Sequence, residues 1–209
     1  RPLIEYSIKA ALDVNQITDL IVSTDDKEIA DVARELGAQV PFLRPLELAT
    51  DKALSAPVVM HAVEFMEKLK GYKYDAVLML QPTSPLRKSL HIKKALDIYQ
   101  SSDFDSVVSV VSVSQHPLRM KKLVGDKLIN YIDQGFENMI PRQEIPEVYI
   151  RNGAIYLCSR SVIMDKKVLV GENCYGLVMD DFEPINIDSK LDLVLAETIL
   201  REGKLLKVS

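Results

Sequence analysis

Over its first 113 residues the sequence alternates helical and extended patterns in the order α-β-α-β-α-β-α-β. That order constrains the fold more than any single motif, because strands separated by helices imply right-handed crossovers and a mostly parallel sheet. Leu3, Ile4, Ile8, Ala11 and Leu12 share a stripe near period 3.6, so residues 2–12 read as a helix. Asp19–Thr24 reads as a strand ending in Asp25-Asp26. A helix follows over 27–36, with Ile29, Ala30, Val32, Ala33 and Leu36 on its apolar face and Gly37 as its stop. A short strand is expected over 39–42. The polar loop "LRPLELATDKALS" leads into a helix over 56–69, with Ser55 as N-cap and Pro57 in the first turn. Asp75–Leu80 reads as a buried strand, Ser89 as the cap of a helix to Tyr99, and "DSVVSVVSV" (105–113) as a β-branched strand.

After residue 114 the texture changes. "QHPLRMKKLVGDKLINYIDQ" reads as a hairpin excursion turned at Gly125-Asp126. "PRQEIPEVYIRNGAIYLCSR" reads as a proline-bounded loop and a strand. The remainder gives two short strands and a final helix, capped by Ser189 with Asp192. The fold class is therefore α/β: a Rossmann-like, three-layer α/β/α arrangement with a mostly parallel sheet, in one domain over residues 1–209. Ligands of such sheets sit at the carboxyl ends of the strands. The polar loops after Thr24, Phe42 and Leu80 lie at that edge.

Composition narrows the function. A net charge of −4 argues against bulk binding to nucleic acid or anionic membrane, and aromatic residues are only 6%. No run of about 18 apolar residues is present, so nothing in the sequence reads as membrane-spanning. Cys158 and Cys174 have neither metal nor disulfide spacing; free thiols suit the cytoplasm. No GxGxxG or GxxxxGK[ST] fingerprint occurs, and His61, His91 and His116 form no ligand cluster. Asp25 and Asp26 can be taken for a metal pair, but carboxylates there also favour the start of the following helix.

The stretch "LQPTSPLR" (80–87) follows directly on the apolar run 76–79. Gln81, Thr83, Ser84 and Arg87 are hydrogen-bonding partners for a polar or anionic ligand, on a loop stiffened by Pro82 and Pro85. The plainer reading is a proline turn closed by Ser84 or Thr83. Arg44 and Ser55 carry a similar choice between a site role and a solvated loop residue or helix cap.

Taken in order, "PLIEYSIKAA" (2–11), "IVSTDDKEIADVARELGAQVPFLRPLELATD" (21–51), "LQPTSPLR", "SVVSV" (106–110), "RQEIPEVYIRNGAIY" (142–156) and "INIDSKLDLVLAE" (186–197) resemble the CMP-sialic acid synthetase (acylneuraminate cytidylyltransferase) family. The resemblance runs over nearly the whole sequence. It implies a nucleotide-diphospho-sugar transferase-like fold and transfer of CMP from CTP to a nonulosonic acid, with release of pyrophosphate. Mg2+ (or Mn2+) is the implied cofactor. Arg44, Ala53 and Ser55 match nucleotide-binding positions. Gln81, Thr83, Ser84, Arg87, Arg119, Arg142 and Tyr156 match substrate-side positions, with Gln81, near the α-phosphate, also a catalytic position. Asp188, a catalytic position, and Asn186 match the metal-binding Asp-x-Asp, expected on a strand with both side chains on one face. Residues 115–150 resemble a dimerisation arm, which implies a homodimer. The family also begins with a strand and an Arg/Ser/Gly/Lys-bearing loop that wraps the triphosphate; such a segment is expected ahead of Arg1.

Three departures stand out. Asn186 replaces a carboxylate, Ile150, followed by Arg151, stands where relatives often have Arg after the aromatic residue, and Tyr175-Gly176 stands where some relatives have two aromatic residues. The last two leave the sugar open among sialic, legionaminic and pseudaminic acids, while Asn186 implies weaker metal binding. The alternatives are a 3-deoxy-manno-octulosonate cytidylyltransferase and a non-catalytic nucleotide- or sugar-binding homologue.

Overall fold

A computed structural model describes residues 1–132, 145–179 and 185–202. The helices are α1 (Leu3–Leu12), α2 (Lys27–Glu35), α3 (Ser55–Lys70), α4 (Ser89–Ser101), α5 (Arg160–Met164) and α6 (Lys190–Glu202). The strands are β1 (Ala76–Met79), β2 (Ser106–Ser112), β3 (Lys121–Val124), β4 (Lys127–Asn130), β5 (Tyr149–Ser159) and β6 (Cys174–Val178). The main sheet has the order β1-β5-β2-β6. β5 runs antiparallel to both neighbours, and β2 pairs parallel with β6. Three of these strands therefore share one direction, and the single reversed strand is internal. The sheet is mixed where the expectation was mostly parallel.

Alternation along the strands explains the layers. Ala76 and Leu78 of β1 and Leu157 of β5 pack with Ile92, Ala95 and Leu96 of α4 and with α1. Their neighbours Val77, Met79 and Cys158 point the other way, onto Val59 and Val63 of α3 and Val162 and Ile163 of α5. Period-two side chains thus feed a helical layer on each face. Fully burying side chains the size of Ile155 or Leu157 stabilises by roughly 1.5–3 kcal/mol each. On the second face Arg160 clamps Glu67 through two parallel hydrogen bonds, 2.7 and 2.9 Å, tying α5 to α3. Cys158, fully buried there, has its thiol pushed up to about 12 by burial and, second, by the charge of Asp105.

Several local expectations are corrected. Residues 19–24 and 39–42 make one parallel bridge, Ile21 to Gln39, rather than two strands. The bridge is closed by Val22 N–H to the Gln39 carbonyl (2.8 Å) and Gln39 N–H to the Leu20 carbonyl (2.9 Å). β1 is only half-buried, because it lies at the edge of the described sheet. Ser55 and Ser89 are the first helical residues and not caps; Leu54 and Lys88 occupy the cap positions. His91 Nδ1 accepts the Lys88 N–H (3.1 Å) instead. Residues 185–188 are not a strand.

Other local readings hold. Asp26 caps α2 by accepting the Ile29 N–H (2.9 Å), Gly37 stops it with φ +93, and β3–β4 is a hairpin turned at Gly125. Ser189 and Asp192 cap α6 reciprocally, Asp192 taking the Ser189 N–H at 2.8 Å and Ser189 Oγ taking the Asp192 N–H at 3.3 Å. The Ser189 hydrogen bonds hold the Asp192 carboxyl below its ordinary range. Among the described residues no helix is long and apolar enough to cross a membrane.

Candidate active site at the carboxyl end of the sheet

Asp19 sets the common orientation. It lies just before the 20–22 segment and accepts hydrogen bonds from the hydroxyls of Tyr72 and Tyr74, just before β1, both at 2.8 Å. Both segments therefore begin at one end of the molecule and deliver the loops after Ser23 and Met79 to the other. β5 starts beyond that end and runs back antiparallel to β1, with Tyr156 opposite Met79 and Gly153 three residues further out.

The 80–87 loop is built around two inward-facing side chains. Ser84 is 1% exposed and Arg87 is 3% exposed. Arg87 Nη1 donates to the carbonyls of Gln81 (3.1 Å) and Ala154 (2.8 Å), while Nη2 donates to Ser7 Oγ of α1. Its Nε has no partner among the described residues. Burial pushes its pKa down to about 10, so it stays charged at neutral pH. Ser84 Oγ donates to the Asn152 carbonyl (3.3 Å) and lies 3.5 Å from Asn186 Oδ1. The Thr83 carbonyl accepts the Ile187 N–H at 2.8 Å. The loop, β5 and the 186–188 segment are thereby stitched together, and Pro82 and Thr83 are left at the more open side.

Sequence reasoning passed over the residues that shape β5 here. Val108 faces Tyr156 but Val110 faces Arg151, so β5 bulges by several residues. Ser109 Oγ fills the break, donating to Asn152 Oδ1 (2.5 Å) and accepting the Ile155 N–H (2.8 Å). Gly153 sits at the crest with φ +76, and Gln81 Oε1 lies 2.2 Å from where its Cβ would be. A glycine inside a strand pattern is the signal that announced this close approach.

Asn186 Nδ2 donates to Asp188 Oδ2 (2.8 Å), so the two side chains share a side although no strand holds them. Asp188 is exposed and Asn186 half-buried. One carboxylate and one amide oxygen are hard donors of the kind Mg2+ accepts when it keeps waters and phosphate oxygens as its other ligands. By donor chemistry the set fits such an ion, with fewer charges than two carboxylates would give; in this arrangement the Asn186 amide nitrogen faces Asp188 and its oxygen faces Ser84.

The structure thus brings Gln81, Thr83, Ser84, Arg87, Asn186 and Asp188 into one cluster. Arg44 is held elsewhere at this end: its Nε donates to Ser23 Oγ (3.1 Å), its Nη2 to the Ser23 carbonyl, and its N–H to the Thr24 carbonyl (2.8 Å). Ala53 and Ser55 lie at the entry to α3, Ala53 half-buried and Ser55 exposed. Tyr156 is half-buried in β5. Arg119 is exposed in the turn before β3, and Arg142 lies outside the described residues, as does part of the 115–150 arm.

Comparison with known proteins follows the same lines. The family model described as Cytidylyltransferase matches residues 1–163. A CMP-N,N'-diacetyllegionaminic acid synthase of Legionella pneumophila is 35% identical over 96% of this chain and 85% of its own length. An N-acylneuraminate cytidylyltransferase of Escherichia coli is 32% identical over 100% of this chain, which spans 48% of that relative. A solved CMP:2-keto-3-deoxy-manno-octonic acid synthetase complexed with CTP superposes with a TM-score of 0.66 at 13% identity, over 97% of this chain and 89% of the other; at that identity the likeness is one of fold.

Proposed function

The chain belongs to the cytidylyltransferase family, and from that premise we propose that it transfers CMP from CTP to a nonulosonic acid and releases pyrophosphate. The observation that carries this reading is the convergence of Gln81, the Asn152–Gly153 bulge and the Asn186–Asp188 pair at the carboxyl end of the sheet. The anomeric hydroxyl of the sugar attacks the α-phosphate and pyrophosphate leaves, so the work is positioning and charge neutralisation with no covalent enzyme intermediate.

Gln81 orients the acceptor sugar near the α-phosphate, and Thr83 offers a hydroxyl beside it. Arg87 acts from beneath by fixing the Gln81 carbonyl. Arg44, Ala53 and Ser55 receive the nucleotide, and Arg119, Arg142 and Tyr156 the acidic sugar. Asp188 and Asn186 would hold Mg2+ or Mn2+, which when bound offsets phosphate charge. The reading places the protein in the cytoplasm, where CTP is made. It also includes a homodimer joined through residues 115–150, supported by the exposed Leu123, Leu128 and Tyr131.

Pyrophosphate release by the full-length protein, with CTP, Mg2+ and a panel of nonulosonic acids, tests the proposal. Turnover of a sialic-, legionaminic- or pseudaminic-type acid is expected, in preference to 3-deoxy-manno-octulosonate. Calorimetric binding of CTP with no turnover of any sugar would replace it by a non-catalytic nucleotide-binding role, which Asn186 in place of a carboxylate favours.

A further inference from the structure

We propose that Gly153 is a positioning residue for Gln81: the absence of a side chain at the crest of the β5 bulge is what lets the Gln81 amide occupy the site. The inference rests on the reading of Gln81 as a substrate-contacting group. A Cβ at residue 153 would lie 2.2 Å from Gln81 Oε1, 3.4 Å from its Cδ and 3.5 Å from Asn186 Oδ1. Real contacts do not approach so closely, so something must shift.

The surroundings decide what shifts. On one side of Gly153, Asn152 is buried; its Oδ1 accepts from Ser109 Oγ (2.5 Å) and from the Ala154 N–H (3.2 Å), and its Nδ2 faces Met179 Sδ at 3.2 Å. On the other side, the Ala154 carbonyl takes a hydrogen bond from the buried Arg87 (2.8 Å). The bulge is pinned at both shoulders. Arg87 also holds the Gln81 carbonyl (3.1 Å), so the loop backbone is fixed too. Among the described residues around the bulge, the end of the Gln81 side chain is the element that no hydrogen bond holds. A methyl group at 153 therefore displaces the amide from its place beside Asn186 and leaves the frame standing, apart from the strain of an L-residue at φ +76.

The test is a pair of double-substitution cycles on the full-length protein, with Gly153→Ala, Gln81→Ala and both together, reading kcat/KM for CMP transfer and the thermal midpoint. Gly153→Ala is expected to lower kcat/KM by about 10–100-fold, as displacement of a positioning group does. In the Gln81→Ala background the same change should alter kcat/KM by less than about twofold. Its loss in thermal midpoint should shrink there too, because the clash with Gln81 is gone and Asn186 Oδ1, at 3.5 Å, is an ordinary contact; if Gly153→Ala alone fails to fold, recovery of folding in the double variant gives the same answer. An equal loss in both backgrounds, or Gly153→Ala turning over like the unaltered protein, would overturn the proposal. The thermal cycle stands apart from the enzymatic reading. Coupling there with no CMP transfer by the unaltered protein refutes the proposed function and with it the positioning role. Absence of thermal coupling refutes the placement itself.

Discussion

Arg87 carries a full positive charge into the interior and, among the described residues, meets two carbonyls and a hydroxyl there. The desolvation cost is several kcal/mol, and charge-assisted hydrogen bonds of roughly 1.5–3 kcal/mol each are what offset it. Their geometry needs a planar fork, which lysine lacks. Arg87→Lys should therefore destabilise the protein by about 1–3 kcal/mol despite keeping the charge, read from urea unfolding. A stability unchanged within error would mean that the fork is not what holds the loop. The sequence made "LQPTSPLR" legible as a polar, stiff loop after an apolar strand. It did not reveal that Ser84 and Arg87 turn inward, because residue type alone does not separate a ligand contact from a prop. Gly153 was legible in principle, as a glycine within a strand pattern.

The 19–22 segment shows how an element can be held without a ladder. Its apolar pattern reads as a strand, yet a strand needs backbone partners along its length, and among the described residues Gln39 alone supplies them. Side chains do the anchoring: Asp19 accepts from Lys70 (2.8 Å), Gln39 (3.0 Å), Tyr72 and Tyr74 (both 2.8 Å). Burial would raise its pKa, but these donors outweigh it and hold the carboxyl well below the usual range. A depressed folded pKa contributes stability above the unfolded value of about 3.9, and that contribution is lost as pH falls below it. Asp19→Asn should cost about 2–3 kcal/mol at pH 7 and flatten the acid limb of stability below about pH 4. Parallel acid limbs for the two proteins would assign the pH dependence to other groups. The longer helices were legible to within a residue or two, but the short α5, which follows directly on β5, was not; the misplaced caps at Ser55 and Ser89 are errors of one position, within the latitude of helix ends.

At the scale of the molecule, the α/β order was legible because crossover rules leave few alternatives. The reversed β5 was not, since its partners are set by contacts distant in sequence. The β3–β4 hairpin stands apart from the main sheet with Leu123 directly across from Leu128, 71% and 64% exposed. An apolar cross-strand pair so exposed supports the proposed dimer. Leu123→Lys with Leu128→Lys should give a folded monomer by light scattering, and a dimer of undiminished stability would sink that part of the reading.

Cys158 gives the molecule an internal reporter. Its sulfur is sealed between the sheet and the second helical layer, and is held protonated at ordinary pH. Cys174 sits half-buried on β6. A thiol-directed dye therefore sees two populations in time: one sulfur on the native surface, and one that answers only when the layers come apart. The second rate measures opening of the fold without any label having been engineered.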